Sequence, residues 1–245
     1  MGVNMAAKWF SGWVFLWLLL CAAVAQGAPS QRGFLDFNLY PYLSDASSDS
    51  VATLNVGAQL PQRLSLFMFI NFYNAPAEEE LTETTTFYSE QTLKWQISDG
   101  SPFDLTVQSN LRSGEDNDRL RFGARWRFHD TPVIGELFKA IHLSYSINFH
   151  AIQIDERDES VWQMEHAFRM GFPWLSERLY LGGFIDHTFN ETLPEAIPAN
   201  PMVAEAQLGW RLVEDLYLVA EYRLNQYRRS DVNNLALGLE YKILW

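Results

Sequence analysis

Four arginines, Arg119, Arg121, Arg125 and Arg127, fall on positions of one parity within a single short stretch. Side chains alternate along an extended strand, so all four guanidiniums share a face with Gly123, while Leu120, Phe122, Ala124, Trp126 and Phe128 take the other. Such a ladder of permanent cations does no covalent chemistry; it sets a field that orients polar and charged solutes. Its counterparts would be Asp36, Glu205, Glu221 and Glu240, each on the polar parity of another alternating stretch. Phe67, Phe69, Tyr73 and Tyr88 also fall on a polar parity and would make a stripe on which flat solutes stack. Simple packing of the rings accounts for the same pattern.

Nucleophilic catalysis has little to build on. His142 and Ser144 share a face, but it is the polar one, at the end of a stretch. In Asp186-His-Thr-Phe-Asn190 the hydroxyl of Thr188 is next in chain to His187, and adjacent strand residues point to opposite faces, so His187 cannot activate it. No catalytic residues are expected. No stretch has the D-x-D-x-D-G spacing of a calcium loop, so no metal site or other cofactor is expected either.

The elements that must carry these side chains are strands. Apolar/polar alternation recurs in blocks of about ten residues, the length of a tilted membrane-crossing strand. The blocks are 33–43, 51–60, 64–74, 86–97, 103–112, 118–128, 140–152, 161–172, 179–190, 202–212, 215–227 and 233–245. Alternate connections are short and rich in turn formers: Leu60-Pro-Gln-Arg63, Asp99-Gly-Ser-Pro102, Pro173-Trp-Leu-Ser-Glu-Arg178 and Val213-Glu-Asp215. Thr131–Ala140 is longer and predicts a short amphipathic helical turn around Ile134, Leu137 and Phe138. The intervening connections are longer and acidic: Ser44–Ser50, Ala75–Thr85, Ser113–Asn117, Asp155–Ser160 and Glu191–Pro201. An even number of antiparallel strands brings both ends of the set to one side, as closure of a barrel requires.

The tryptophans check this register. Trp95, Trp126, Trp210 and Trp245 each lie on the apolar parity near the same end of a strand, which predicts an aromatic girdle. Phe72, Phe87, Phe149, Trp162 and Phe189 do the same at the opposite end. A soluble β-sandwich with an aromatic core would show the same alternation but would not sort its tryptophans to one end.

At the start, Lys8, the apolar run Trp13–Leu20 and Ala23-Val-Ala25 fit a secretory leader over 1–25 with an A-x-A cleavage site, leaving 26–245 as one barrel domain. The single cysteine, Cys21, falls inside that leader. The formal net charge of −12 becomes −13 once Lys8 is removed, which argues against nucleic acid as a partner.

From Val232 to Trp245 the chain alternates Leu235, Leu237, Leu239, Tyr241 and Ile243 with Asn234, Ala236, Gly238, Glu240 and Lys242, and it ends on Trp245. This ending resembles the carboxy-terminal signal of Gram-negative outer-membrane barrels, which finish on Phe or Trp after apolar residues at every second place. The size class is similar to that of the twelve-stranded nucleoside-specific channels, although no stretch matches their signatures. The resemblance implies an all-β, transmembrane, antiparallel up-and-down barrel of about 12 strands. Its partners would be outer-membrane lipids and lipopolysaccharide, the barrel-assembly machinery through the last strand, and small polar solutes. The arginine wall facing an acidic wall would resemble the eyelets of general diffusion porins. A twelve-stranded interior lies between filled and open, so the two alternatives are an occluded structural barrel and, given lipid-facing His187, an outer-membrane lipid hydrolase.

Overall fold

The computed structural model describes residues 33–41, 43, 51–73, 87–112, 118–155, 160–227 and 232–245. The leader 1–25 and four of the five acidic connections, 44–50, 75–85, 113–117 and most of 155–160, lie outside the described residues.

Alternating sequence becomes strand wherever the expectation placed it. The elements are β1 (Gly33–Tyr40), β2 (Val51–Leu60), β3 (Leu64–Tyr73), β4 (Phe87–Gln96), β5 (Phe103–Arg112), β6 (Arg119–Arg127), α1 (Ile134–Ala140), β7 (Leu143–Ile154), β8 (Trp162–Phe172), β9 (Ser176–Phe189), β10 (Met202–Val213), β11 (Leu216–Asn225) and β12 (Asn233–Leu244). Every strand pairs antiparallel with its chain neighbours, and β1 pairs with β12 to close the barrel. Closure is completed by a reciprocal pair of backbone bonds, from Gly33 N to Trp245 O at 2.8 Å and from Trp245 N to Gly33 O at 3.1 Å. With no free edge, every strand is paired on both sides, the one way a sheet can be placed in hydrocarbon.

The two faces are chemically opposite. Along β12, Leu235, Leu237, Leu239 and Tyr241 are about half exposed on the outside, while Asn234, Ala236, Gly238 and Glu240 are buried within. The same sorting exposes Phe37, Leu39, Leu105, Val107, Ile185, Leu208 and Leu218 on the outer wall. It buries Asn38, Asp104, Thr106, Gln108, Asn148, Glu221 and Glu240 on the inner one. A soluble sandwich does the reverse, so the outer wall is built for lipid and the inner one for polar contents.

Polar groups on the outer wall are satisfied locally. Ser109 donates to Gln91 Oε1 at 2.7 Å, Gln91 donates to Ser89, and Ser89 donates to the carbonyl of Phe69 at 3.1 Å. His166, also on the lipid side, has its Nδ1 2.7 Å from the hydroxyl of Tyr145 on the adjacent strand. Internal pairing of this kind avoids the several kcal/mol that an unsatisfied polar group costs in hydrocarbon.

The end of the barrel that holds Gly33, Trp245 and the short turns is termed the turn end, and the opposite one the loop end. Trp95, Trp126, Trp210 and Trp245 all lie at the turn end. Trp126 stacks on Phe128 at 4.1 Å and donates to Thr131 Oγ1 at 2.7 Å. At the loop end Trp162 stacks on Phe189 at 3.8 Å and meets Phe149 at 5.2 Å. The connection after β6 holds a short 3-10 turn, Phe128–Asp130, and then α1, as its amphipathic pattern predicts.

Two stretches depart from the expected register. The strand expected over 140–152 runs over Leu143–Ile154; His142 sits outside it in a turn, with φ of +54°, and is exposed. A bulge opposite Phe122 and Gly123 turns both Ala151 and Ile152 outward and brings Gln153 inside, where it is buried. The bulge adds one residue to β7, and the parity of every residue beyond it inverts.

Candidate functional site: the polar lumen

The arginine ladder is where strand alternation puts it, inside β6, with Arg121 only 3% exposed. For Arg121, Arg125 and Arg127 the partners are near neighbours, however, and not the far wall. Arg125 donates through Nε to Asp104 at 2.6 Å, and Arg127 pairs with the same carboxylate through Nη1 and with Asp130 at 2.6 Å. Arg121 donates to Gln153 at 2.7 Å and to Gln108 at 2.9 Å. At the loop end Arg119 reaches Glu191, beyond β9, at 2.5 Å, and the hydroxyl of Tyr227 donates to the same carboxylate at 2.5 Å. Asp104, absent from the expected partners, is the register partner of Arg125 across the β5–β6 hairpin. Folding the two alternating stretches about Ser113–Asn117 gives that register, though not the direction in which the arginine side chain turns.

The acidic candidates lie inside on the wall formed by β1 and β10–β12. Glu240 is 1% exposed, pairs with Lys242 and accepts from the Tyr180 hydroxyl. Asp36 meets Lys242 at 3.3 Å and accepts from Asn55 at 2.9 Å. Glu205 pairs with Arg223, and Glu221 is buried on β11. Arg169, on the inward face of β8, lies over the ring of Tyr180 at 3.9 Å. The charges on both walls are therefore largely neutralised by partners close at hand. Fixed charges in a low-dielectric wall are costly unless a partner lies within reach.

What remains after pairing is an axial imbalance. On the turn-end halves of the strands, Lys94, Arg125, Arg127, Arg169, Arg211 and Lys242 face Asp36, Asp104 and Glu240; cations outnumber carboxylates. On the loop-end halves, Glu90, Glu165, Asp186, Glu205 and Glu221 outnumber Arg112, Arg119, Arg121 and Arg223. Between them lies a polar belt in which Gln108 reaches Glu90 at 2.9 Å and Glu165 at 3.2 Å, Thr106 donates to Asn148 at 2.9 Å, and fully buried His150 lies 3.4 Å from Glu165. On the facing side the Tyr40 hydroxyl donates to Gln207 at 2.6 Å, and Gln207 donates to Tyr180 at 2.5 Å. These belts join strands that are not neighbours, so they narrow the lumen at mid-height.

The aromatic stripe is real and longer than expected. Phe34, Phe67, Phe69 and Tyr88 form a chain of tilted rings with centroid spacings of 6.4, 6.2 and 5.7 Å. Phe34 extends it from the inward parity of β1, opposite Gly57. Lys94 lies over Phe67 at 5.4 Å and Arg112 over Tyr88 at 5.2 Å, so part of each ring face is already covered by a cation. Tyr73 ends β3, and its side chain falls outside the described part of the chain.

Among the described residues the two histidine–hydroxyl pairs considered for catalysis are not brought together. His142 is outside the lumen, against Trp174 at 6.1 Å, and therefore does not share a face with Ser144 as expected. Thr188 is buried inside while His187 packs on Phe189 on the outside. Among the described residues no cluster of three or more His, Cys, Asp or Glu is placed to hold a metal ion.

No family model and no curated protein matches the chain. Solved structures do. A NanC porin aligns with a TM-score of 0.55 at 11% identity, over 85% of this chain and 100% of its own. A KdgM porin aligns at 0.52 and 10% identity over 85% and 98%, and a KdgM porin in complex with disordered oligogalacturonate at 0.51 and 11% over the same shares. The fold is that of these porins. At such identity the likeness extends to the barrel, its closure and its size, and the lumen side chains of this chain must be read on their own.

Proposed function

We propose that this barrel is a narrow outer-membrane channel for passive diffusion of small polar solutes in a Gram-negative envelope, delivered there through a cleaved leader. The observation that carries the reading is the inversion of the two faces: exposed leucines and aromatics outside, buried charges and amides inside. A polar interior is expensive to hold in a membrane unless it contacts water or solute. The likeness to porins supports the same reading. In this mechanism Arg119, Arg121, Arg125 and Arg127, with Glu205, Glu221, Glu240 and Asp36, set the field along the path, and solutes that cannot replace ordered water are disfavoured. The girdle tryptophans would sit at the periplasmic headgroups, and β12 would carry the assembly signal. Lipopolysaccharide would meet the loop end. Conductance of the purified barrel in a planar bilayer is the test.

The cross-linking belts support a second reading, an occluded structural barrel. If the contacts of Gln108 with Glu165 and of Tyr40 with Gln207 seal the lumen, a folded barrel passes no ions. The same recording separates the two. A lipid hydrolase reading is tested by lipid release from the wild type and from His187→Ala; a difference between them would revive it.

A further inference from the structure

The turn-end mouth of the lumen holds a cavity of about 530 Å³. Phe34, Phe67, Ser65, Gln59, Lys94 and Arg125 are among its lining residues. Two features set its chemistry. Lys94 makes no hydrogen bond or ion pair with any described residue; its ammonium lies over the Phe67 ring, and Arg125, Glu165, Glu90 and Asp104 are the charges that act on it through space. Arg125 engages Asp104 through Nε alone, which leaves its terminal nitrogens available.

We infer that this cavity is a binding site for small organic anions that carry an apolar or flat ring next to a carboxylate. The carboxylate would be held by Lys94 and the outer edge of Arg125, with charge-assisted bonds of the kind guanidinium and ammonium groups make to anions. The ring would lie against Phe34 and Phe67, which present apolar surface at the height of the two cations. A neutral polar solute would leave an uncommitted ammonium beside it, and an apolar one would strip water from that ammonium without replacing it. Cations are repelled, because the turn-end half of the lumen carries more cations than carboxylates. The site therefore selects sign and shape together.

The axial imbalance adds sidedness. An anion entering from the turn end meets the cationic half first, whereas one from the loop end must pass the carboxylate-rich half formed by Glu90, Glu165, Asp186, Glu205 and Glu221. This part of the inference rests on the channel reading; the binding site itself does not.

The experiment uses para-fluorobenzoate as the probe on the folded, detergent-solubilised barrel, with fluorine NMR line broadening to report binding. Heat-modifiable migration on gels confirms the fold of each variant. The expected result is saturable broadening for the acid and at least about tenfold weaker binding for the neutral para-fluorobenzamide. Lys94→Gln should weaken the acid by about tenfold, and Lys139→Gln, outside the barrel on α1, should leave it unchanged. Equal binding of acid and amide overturns the assignment, as does wild-type affinity in a folded Lys94→Gln barrel. In bilayers, acid added on the turn-end side should reduce current more than the same acid added on the other side; equal block from both sides removes the sidedness. A barrel that binds the acid through Lys94 yet passes no current would overturn the channel reading and leave the site standing.

Discussion

At the level of single residues, Asp104 holds the ladder together. It is 1% exposed and accepts from both Arg125 and Arg127, so its removal leaves Arg125 without its paired carboxylate and Arg127 with Asp130 alone. Breaking a buried pair in this way costs about 3–5 kcal/mol. Asp104→Ala should lower the urea midpoint of the folded barrel, and Asp104→Asn should move the reversal potential in a salt gradient toward anions. An unchanged potential would mean that the ladder does not border the ion path. Tyr145 predicts a smaller effect. Its hydroxyl is the partner that keeps lipid-facing His166 satisfied, and Tyr145→Phe should cost about 1 kcal/mol in a lipid-based unfolding titration. The ladder itself was legible from parity alone. Its partners were not, because parity gives the face of a residue but not the rotamer of a long side chain, and Arg125 turned sideways to Asp104 instead of reaching across the lumen.

Among the elements, the pairing of β6 with β7 is tightly constrained at the bulge. A side chain at Gly123 would place its Cβ 2.2 Å from the carbonyl oxygen of Phe149, which is backbone and cannot move aside. Gly123→Val should therefore separate the two strands at the bulge, and the variant should lose heat-modifiable migration; normal folding would show that the bulge can be ironed out. Eleven of the twelve blocks needed at most a shift of ends, because strongly alternating stretches bounded by Pro, Gly and Asp leave little choice of register. β7 is the exception. Its sequence from Ala151 to Ile154 carries no turn residue to announce an extra position, and only the closure of the ladder against β6 forces the bulge. His142 lies off the strand because Ile141 and His142 form the turn that joins α1 to β7.

For the molecule as a whole, an acidic chain encloses a lumen whose two halves differ in sign. The net charge of −12 says nothing of this, because it averages acidic connections with an interior where cations and carboxylates are sorted by height. Fold class, closure and aromatic girdles could be read from the sequence, since each depends on periodicity. The narrowing belts could not, since they depend on which side chains meet across strands three places apart. Arg121→Ala together with Arg125→Ala should shift selectivity toward cations, because two cations are lost while Asp36, Asp104 and Glu240 remain. The most direct test of the account is the planar-bilayer recording of the wild-type barrel, purified and shown to be folded by its heat-modifiable migration. The channel reading predicts stepwise conductance; a folded barrel that inserts and passes no current at all would contradict it.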